Sequence, residues 1–314
     1  MLKLRMNQGD PTEGRIYFLP HFVAADRGYF RDAGLEVEFV WAPPGDHLAK
    51  SGQIPAVLSG AADLTVGGPM VTMRMLADGS AHLVNFCALV RRNPWYLAGR
   101  HPEPDFTLAS LAGRTVFDAA SITTAGLSLR HALAKADLSD RVTVIELPRE
   151  DPAAIEDFIA GRGPGGEAEV IFHSMHALAP ALAAGRLFEL SDLARYTGDV
   201  PWSAYITRPE TMAAQPAAFA AFASAISRAL ADAATTPAGE LAAQLAGHYP
   251  GYPPAALAYG IAAYQRLGVW SEGAVISRAD FERFRALLMD CGWFSTPVPY
   301  EQQVVVPVAA ASTL

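Results

Sequence analysis

Between Phe18 and Val40 the spacing of apolar side chains changes period once. Leu19, Phe22, Val23, Ala25, Tyr29 and Phe30 recur at roughly helical intervals, while Asp26, Arg27, Arg31 and Asp32 fill the other face. Gly34 stops that helix, because glycine is free to take the left-handed conformation that a helix C-terminus favours. Leu35-Glu-Val-Glu-Phe-Val40 then alternates as a buried strand, and so does Leu2-Lys-Leu-Arg-Met6 at the start of the chain. The chain therefore opens strand, loop, helix, strand, the order of a parallel sheet with a crossover helix.

The same alternation continues. Residues 45–59 read as a helix, 62–66 as a strand, Gly67-Gly68-Pro69 as a turn that opens a helix to Asp78, and 81–90 as an apolar strand. Past the proline-containing loop 101–105, strands are predicted at 115–117, 142–147, 168–172 and 187–190, with helices at 125–136, 152–160 and 175–184 between them. Residues 201–207 read as a return crossing. From Thr211 to Leu288 the pattern is helical, with Phe219, Phe222, Ile226 and Leu230 on one face.

Three ordered segments resemble one family. The first helix carries Pro20, Ala24, Gly28, Tyr29, Phe30, Gly34, Leu35 and Val37 in the pattern P-x-x-x-A-x-x-x-G-Y-F-x-x-x-G-L-x-V. The run Val57-Leu-Ser-Gly-Ala-Ala-Asp63-Leu-Thr-Val-Gly-Gly68 is similar to the family's L-x-x-G-x-x-D segment, and Leu108-Ala-Ser-Leu-Ala-Gly-Arg-Thr-Val-Phe117 to its entry into a second lobe. The chain resembles, over roughly residues 1–235, the type II periplasmic binding proteins that serve nitrate, aliphatic sulfonates, taurine and thiamine-pyrimidine precursors. That resemblance implies a two-lobed α/β fold, each lobe a mixed sheet flanked by helices, with the ligand cleft between the lobes. Residues 1–95 with 207–314 are expected to form one lobe, 100–200 the other, and 96–99 and 201–206 the hinge crossings.

Composition narrows the function classes. At 314 residues there is length for two domains, each with its own core. A net charge of -8 without any Lys/Arg cluster argues against a nucleic-acid surface. No apolar run approaches the eighteen or so residues of a membrane span. Cys87 and Cys291 lie far apart without metal-ligand spacing, so they read as small hydrophobes; neither a metal nor a cofactor is expected. The first residues lack the basic start and apolar core of a secretory leader. Two expectations follow: a periplasmic protein whose leader was removed, or a cytoplasmic relative if Met1 is the native start.

In open α/β sheets, ligands lie beyond the carboxyl ends of the strands. That rule selects the loops Gly9–His21, Gly67–Met70, Ala119–Thr124 and His173–His176. The candidates they contain are Arg15, Tyr17, Phe18, His21, Gly67, Gly68, Pro69, Ser121, Thr123, Thr124, His173 and Ser174, joined at the lobe crossings by Trp95 and Trp202. Gly67-Gly68 would let backbone approach a ligand closely. Ser121, Thr123 and Thr124 open a helix, where hydroxyls and free N–H groups suit an anion or strong acceptor; capping of the helix is the alternative for Ser121 or Thr123. Aromatic rings would stack on a flat solute.

The expected ligand is thus small, partly aromatic or carbonyl-rich, and bears an acceptor. Binding without transformation, between two lobes that close on the solute, is the favoured reading, as the solute receptor of an ABC-type importer, with a permease as partner, or as a leaderless relative of one. The alternative is an enzyme on the same scaffold, of desulfinase, decarboxylase or pyrimidine-synthase type. His173, Ser174 and His176 are its main support, although a direct Ser174–His173 hydrogen bond is not assured by sequence spacing.

Overall fold

The computed structural model describes residues 1–9, 13–41, 53–149 and 151–307. The strands are β1 (Leu2–Asn7), β2 (Leu35–Val40), β3 (Leu64–Gly67), β4 (Val84–Arg92), β5 (Trp95–Gly99), β6 (Thr115–Asp118), β7 (Thr143–Glu146), β8 (Val170–Ser174), β9 (Phe188–Asp192) and β10 (Asp199–Thr207). They form two sheets of five strands, in the orders β2-β1-β3-β10-β4 and β7-β6-β8-β5-β9. Each sheet has a parallel part and one inserted antiparallel strand. In the first, β1 runs parallel to β2 and β3, while β10 runs antiparallel to β3 and β4; in the second, β6 runs parallel to β7 and β8, while β5 runs antiparallel to β8 and β9.

Alternation in β1 explains its placement. Leu4 and Met6 are buried, and Lys3 on the other face pairs across the ladder with Glu36 and Glu38 of β2. Asp63 joins β1 to the start of β3 by accepting from both the backbone and the guanidinium of Arg5, each at 2.8 Å. The strand β2 is an edge strand whose glutamates are exposed, so it is only half buried. The first helix is not continuous. It runs Pro20–Asp26, breaks where Gly28 takes φ +71°, and resumes over Tyr29–Asp32 before Gly34, also at φ +71°, turns the chain into β2. Of the helix expected at 45–59, Gln53–Leu58 is helical and 45–52 lie outside the described residues.

The crossings fall elsewhere than expected. Residues 96–99 sit inside the second sheet as β5, and 201–206 inside the first as β10, because both segments are apolar enough to be buried in ladders on each side. The chain instead leaves the first sheet at Asn93-Pro94. Asn93 Oδ1 accepts from Trp95 N at 3.1 Å, and its amide donates to Ser128 Oγ at 3.0 Å, which fixes the crossing to the second lobe. It returns between Asp192 and Asp199 through the short helix Ala194–Thr197 and Gly198 at φ +69°.

Helix Pro216–Thr235 covers one face of the first sheet. It is long and apolar enough to cross a membrane by length and composition, yet Phe219, Phe222, Ile226 and Leu230 are fully buried against the strands and the first helix. Helix Pro254–Leu267, expected with the first lobe, packs instead on Met175–Ala183 of the second while holding Ala238–Leu245 on its other side. A run of small residues permits this. A Cβ on Gly260 would lie 2.5 Å from Ile16 Cδ1 and 3.5 Å from Ala179 Cβ, so three elements meet at one glycine. Tyr264 Oη donates to the Pro94 carbonyl, and Tyr259 Oη and Arg266 both reach Glu189 on β9.

Candidate functional site

The carboxyl ends of β3 and β6, the start of β5 and the middle of β10 converge on a cavity of about 170 Å3. Tyr17 and Phe18, from the single turn before the first helix, form one wall, with ring centroids 4.6 Å apart and nearly perpendicular. Trp95 from β5, Trp202 from β10 and Trp293 from the turn after helix Arg278–Asp290 supply three further aromatic faces. Trp293 is held by its indole N–H, which donates to the Met70 carbonyl at 3.0 Å, and by Arg74, whose guanidinium lies over its ring at 4.4 Å.

The polar groups are few and differently placed. Helix Thr123–Lys135 opens into the cavity with Ile122 at its N-cap, and no side chain caps it. The first intrahelical bonds run from Ala125 and Gly126 to Ile122, so the amides of Thr123 and Thr124 precede the hydrogen-bonded ladder and face outward. Ser121 is committed elsewhere: at φ +51° it donates its hydroxyl to the Leu147 carbonyl at 3.0 Å, leaving only its lone pairs for a partner. The indole nitrogen of Trp95 is buried without a hydrogen-bond partner on a residue that is 2% exposed. A donor left in this state next to a cavity is the strongest local sign of an acceptor from outside the chain.

Charge is sparse. Arg15 is the one charged side chain among the described residues lining the cavity, and it is paired with Glu13 while its other arm lies 3.5 Å from Gln53 Oε1. Burial keeps the Tyr17 phenol protonated by raising its pKa. A larger recess of about 550 Å3 lies beside the lobe crossings, between Arg92, Tyr96 and Arg266. Its charges are satisfied among themselves, Arg92 with Asp199, Arg195 with Asp192 and Arg266 with Glu189, so it offers a ligand little that is unmet.

Of the residues singled out from sequence, Arg15, Tyr17, Phe18, Gly67, Gly68, Trp95, Ser121, Thr123, Thr124 and Trp202 are brought to this cavity. Pro69 is not; it begins the helix Pro69–Ala77 and is buried there. Gly68 has a role different from the expected one: a Cβ there would sit 1.8 Å from Met70 Sδ, so its missing side chain is space for methionine rather than for a ligand. His21 lines a separate small cavity. His173 and Ser174 are the last residues of β8, behind the wall formed by Trp95, whose ring lies 5.8 Å from that of His173.

The Ser174 hydroxyl lies 3.1 Å from both His173 Nδ1 and His176 Nε2, so the contact that spacing alone did not assure is present. It is closed to substrate, because Ser174 is fully buried. His173 Nδ1 also accepts from Ser174 N at 2.8 Å, which puts the His173 proton on Nε2. Burial drives the His176 pKa well below the ordinary imidazole value, assisted by the neighbouring His173 and Arg15.

Sequence reasoning missed Gln53, Ile54, Val71, Ser203 and Trp293. Trp293 follows a helix at the far end of the chain, with no strand before it to mark a cleft loop, and only packing against Met70 delivers it.

Three comparisons bear on this arrangement. The model of the NMT1/THI5-like family matches residues 15–240. The chain belongs to that family. YtlA of Bacillus subtilis (strain 168) is 20% identical over 300 residues, covering 95% of this chain and 87% of YtlA. Among solved structures, the periplasmic aliphatic sulphonate binding protein SsuA from Escherichia coli superimposes with a TM-score of 0.69 at 18% identity, over 96% of this chain and 97% of SsuA. The desulfurization enzyme DSZB superimposes with a TM-score of 0.61 at 15% identity, over 98% and 97%. At these identities the likeness establishes the fold, which is that of the periplasmic binding proteins, and binders and an enzyme share it.

Proposed function

We propose that this NMT1/THI5-like protein binds a small, single-ring solute bearing a carboxylate, sulfonate or carbonyl acceptor, and releases it unchanged. The observation that carries the reading is the chemistry of the cavity wall. Among the described residues it holds no Asp, Glu, His, Cys or Lys, so none of its hydroxyls has a carboxylate, imidazole or amine beside it in the wall to act as general base. It does hold aromatic faces, two unbonded helix-start amides and an unpartnered indole N–H. Size sets the ligand class: a dry cavity of about 150 Å3 takes benzene, so about 170 Å3 takes one ring with a small substituent. SsuA is a periplasmic aliphatic sulphonate binding protein, and delivery of the bound solute to an ABC permease is the proposal for this chain.

The enzyme reading has one specific support, the shared fold with DSZB. The two cysteines supply no nucleophile to the cavity: Cys87 is fully buried in β4, and Cys291 is half-buried with its thiol toward the Leu127 carbonyl, neither lining it. A thermal-shift screen of benzoates, benzenesulfonates and ring carbonyl compounds tests binding, since ligand at about 100 times its Kd adds about 2.7 kcal/mol of apparent stability. Recovery of the hit by mass spectrometry after prolonged incubation is expected to return the input mass. An altered mass formed with turnover makes the enzyme reading the correct one.

A further inference from the structure

A second, much smaller cavity of about 20 Å3 adjoins the first, and Arg15 and Phe18 line both. Three polar atoms with no hydrogen-bond partner belong to residues that line it: His21 Nε2, Gln8 Oε1 and the Tyr249 hydroxyl. His21 and Tyr249 are 1% and 3% exposed, and the Gln8 oxygen is buried too. Any one such group could be a tolerated loss. Three around one space describe a built recognition point, because each leaves a desolvation cost unmet.

Their chemistry is complementary to a neutral group. The Tyr205 hydroxyl lies 3.4 Å from His21 Nδ1; with that hydroxyl donating, the His21 proton sits on Nε2 and points away from Tyr205. The set then offers one donor in His21 Nε2–H, one acceptor in Gln8 Oε1, and the Tyr249 hydroxyl, which can be either. Burial holds His21 neutral, with its pKa lowered to about 3. Among the described residues lining it, the one arginine, Arg15, is engaged by Glu13. His248 at the rim has its Nε2 on Asp26 at 2.9 Å and its ring stacked on Phe22. Nothing here balances a charged ligand group.

Resting on the ligand class proposed above, we infer that this recess is the far end of the ligand site and takes an uncharged terminal hydroxyl on a short arm. The ring would lie in the larger cavity with its acceptor toward Thr123 and Thr124. The arm would pass the Phe18 ring, the shared wall, to place one polar atom among His21, Gln8 and Tyr249. A space of about 20 Å3 accepts one such atom and no more.

The test uses 4-alkylbenzoates and the matching 4-(hydroxyalkyl)benzoates with arms of one to three carbons, titrated into the full chain by calorimetry. In the wild type, one hydroxyalkyl member is expected to bind about ten-fold tighter than its alkyl counterpart of equal length. That gain is expected to disappear in Tyr249→Phe and in Gln8→Met, both shape-conserving, while alkylbenzoate affinity stays within two-fold. If alkylbenzoates bind and the hydroxyl adds nothing at any length, or its gain survives both substitutions, the recess is not a ligand subsite and the cleft reading stands alone. If no benzoate binds, the carboxylate form of the cleft reading fails and the subsite argued from it falls with it.

Discussion

Ser121 donates its hydroxyl to the Leu147 carbonyl at 3.0 Å while its backbone is held at φ +51°, in the left-handed region. This bond ties the β6 loop to the segment after β7, and it withdraws from the ligand the hydroxyl that the sequence pattern singles out. Two opposed terms act at this position: the bond favours serine, and the backbone favours glycine.

Ser121→Ala removes the bond and keeps the strain, so it is expected to lower stability by about 1 kcal/mol in urea denaturation. Ser121→Gly loses the same bond but relieves the strain, and its midpoint is expected to lie above that of Ser121→Ala. Neither change is expected to move ligand affinity more than three-fold. Equal midpoints for the two variants would remove the strain argument.

Trp95 carries a buried N–H with no partner, so the empty protein gains nothing from it. Trp95→Phe is therefore expected to cost less stability than a typical large-to-small core change, which runs to about 3–5 kcal/mol for Trp→Ala. Its effect on ligand binding should be the larger one. Loss of one hydrogen bond to a charged acceptor corresponds to about 1.5–3 kcal/mol, read as a ten-fold or greater rise in Kd for a benzoate probe.

His21 and His176 are both buried and held neutral, His21 with a pKa near 3. The unfolded chain takes up a proton on each as pH falls through the ordinary value of 6.5, while the native protein does not. Below about pH 6.5 the unfolded state binds more protons, and stability drops as pH falls, by about 1.4 kcal/mol per pH unit for each such histidine. For His21 that window closes near pH 3. Urea midpoints measured from pH 7 to pH 4 are expected to fall accordingly, and Tyr205→Phe, His21→Phe should remove one proton from the slope.

How much of this was legible beforehand follows from what each segment is tied to. The helix–glycine–strand unit around Gly34 reads from local period alone, and the parallel β1–β2 pairing follows from it. So do the loops after β3 and β6, because a position after a strand is a topological fact that sequence order carries. The misplaced crossings at 96–99 and 201–206 have a physical cause: a strand inserted antiparallel in the middle of a sheet is as apolar as a buried link, and hydropathy does not distinguish them. Trp293 and Gln53 reach the cavity only through tertiary packing. The capping of helix Thr123–Lys135 was also beyond reach, since the hydroxyl residues Ser121, Thr123 and Thr124 on either side of Ile122 suggest a cap and the chain puts Ile122 there instead.

Gly260 is a position where helix propensity and packing disagree. An alanine would favour the helix by about 1 kcal/mol, but its Cβ would fall 2.5 Å from Ile16 Cδ1. Since that atom is the end of a flexible side chain, Gly260→Ala is expected to be near neutral. Gly260→Leu has no such escape against Ala179 and should cost about 1–3 kcal/mol. Pairing it with Ile16→Ala should recover part of the loss, a coupling that a double-mutant cycle reads directly.

Helix Pro254–Leu267 gives the molecule a third point of attachment between its halves. Two chain crossings joining two bodies define an axis, and the bodies can rotate about it as a door does. A third contact off that axis opposes this rotation. Rotation about the axis is then coupled to movement of this helix over Met175–Ala183, a shear of packed surfaces. The small residues at that contact, Gly260 and Ala179 among them, are the kind that let one helix slip over another in short steps.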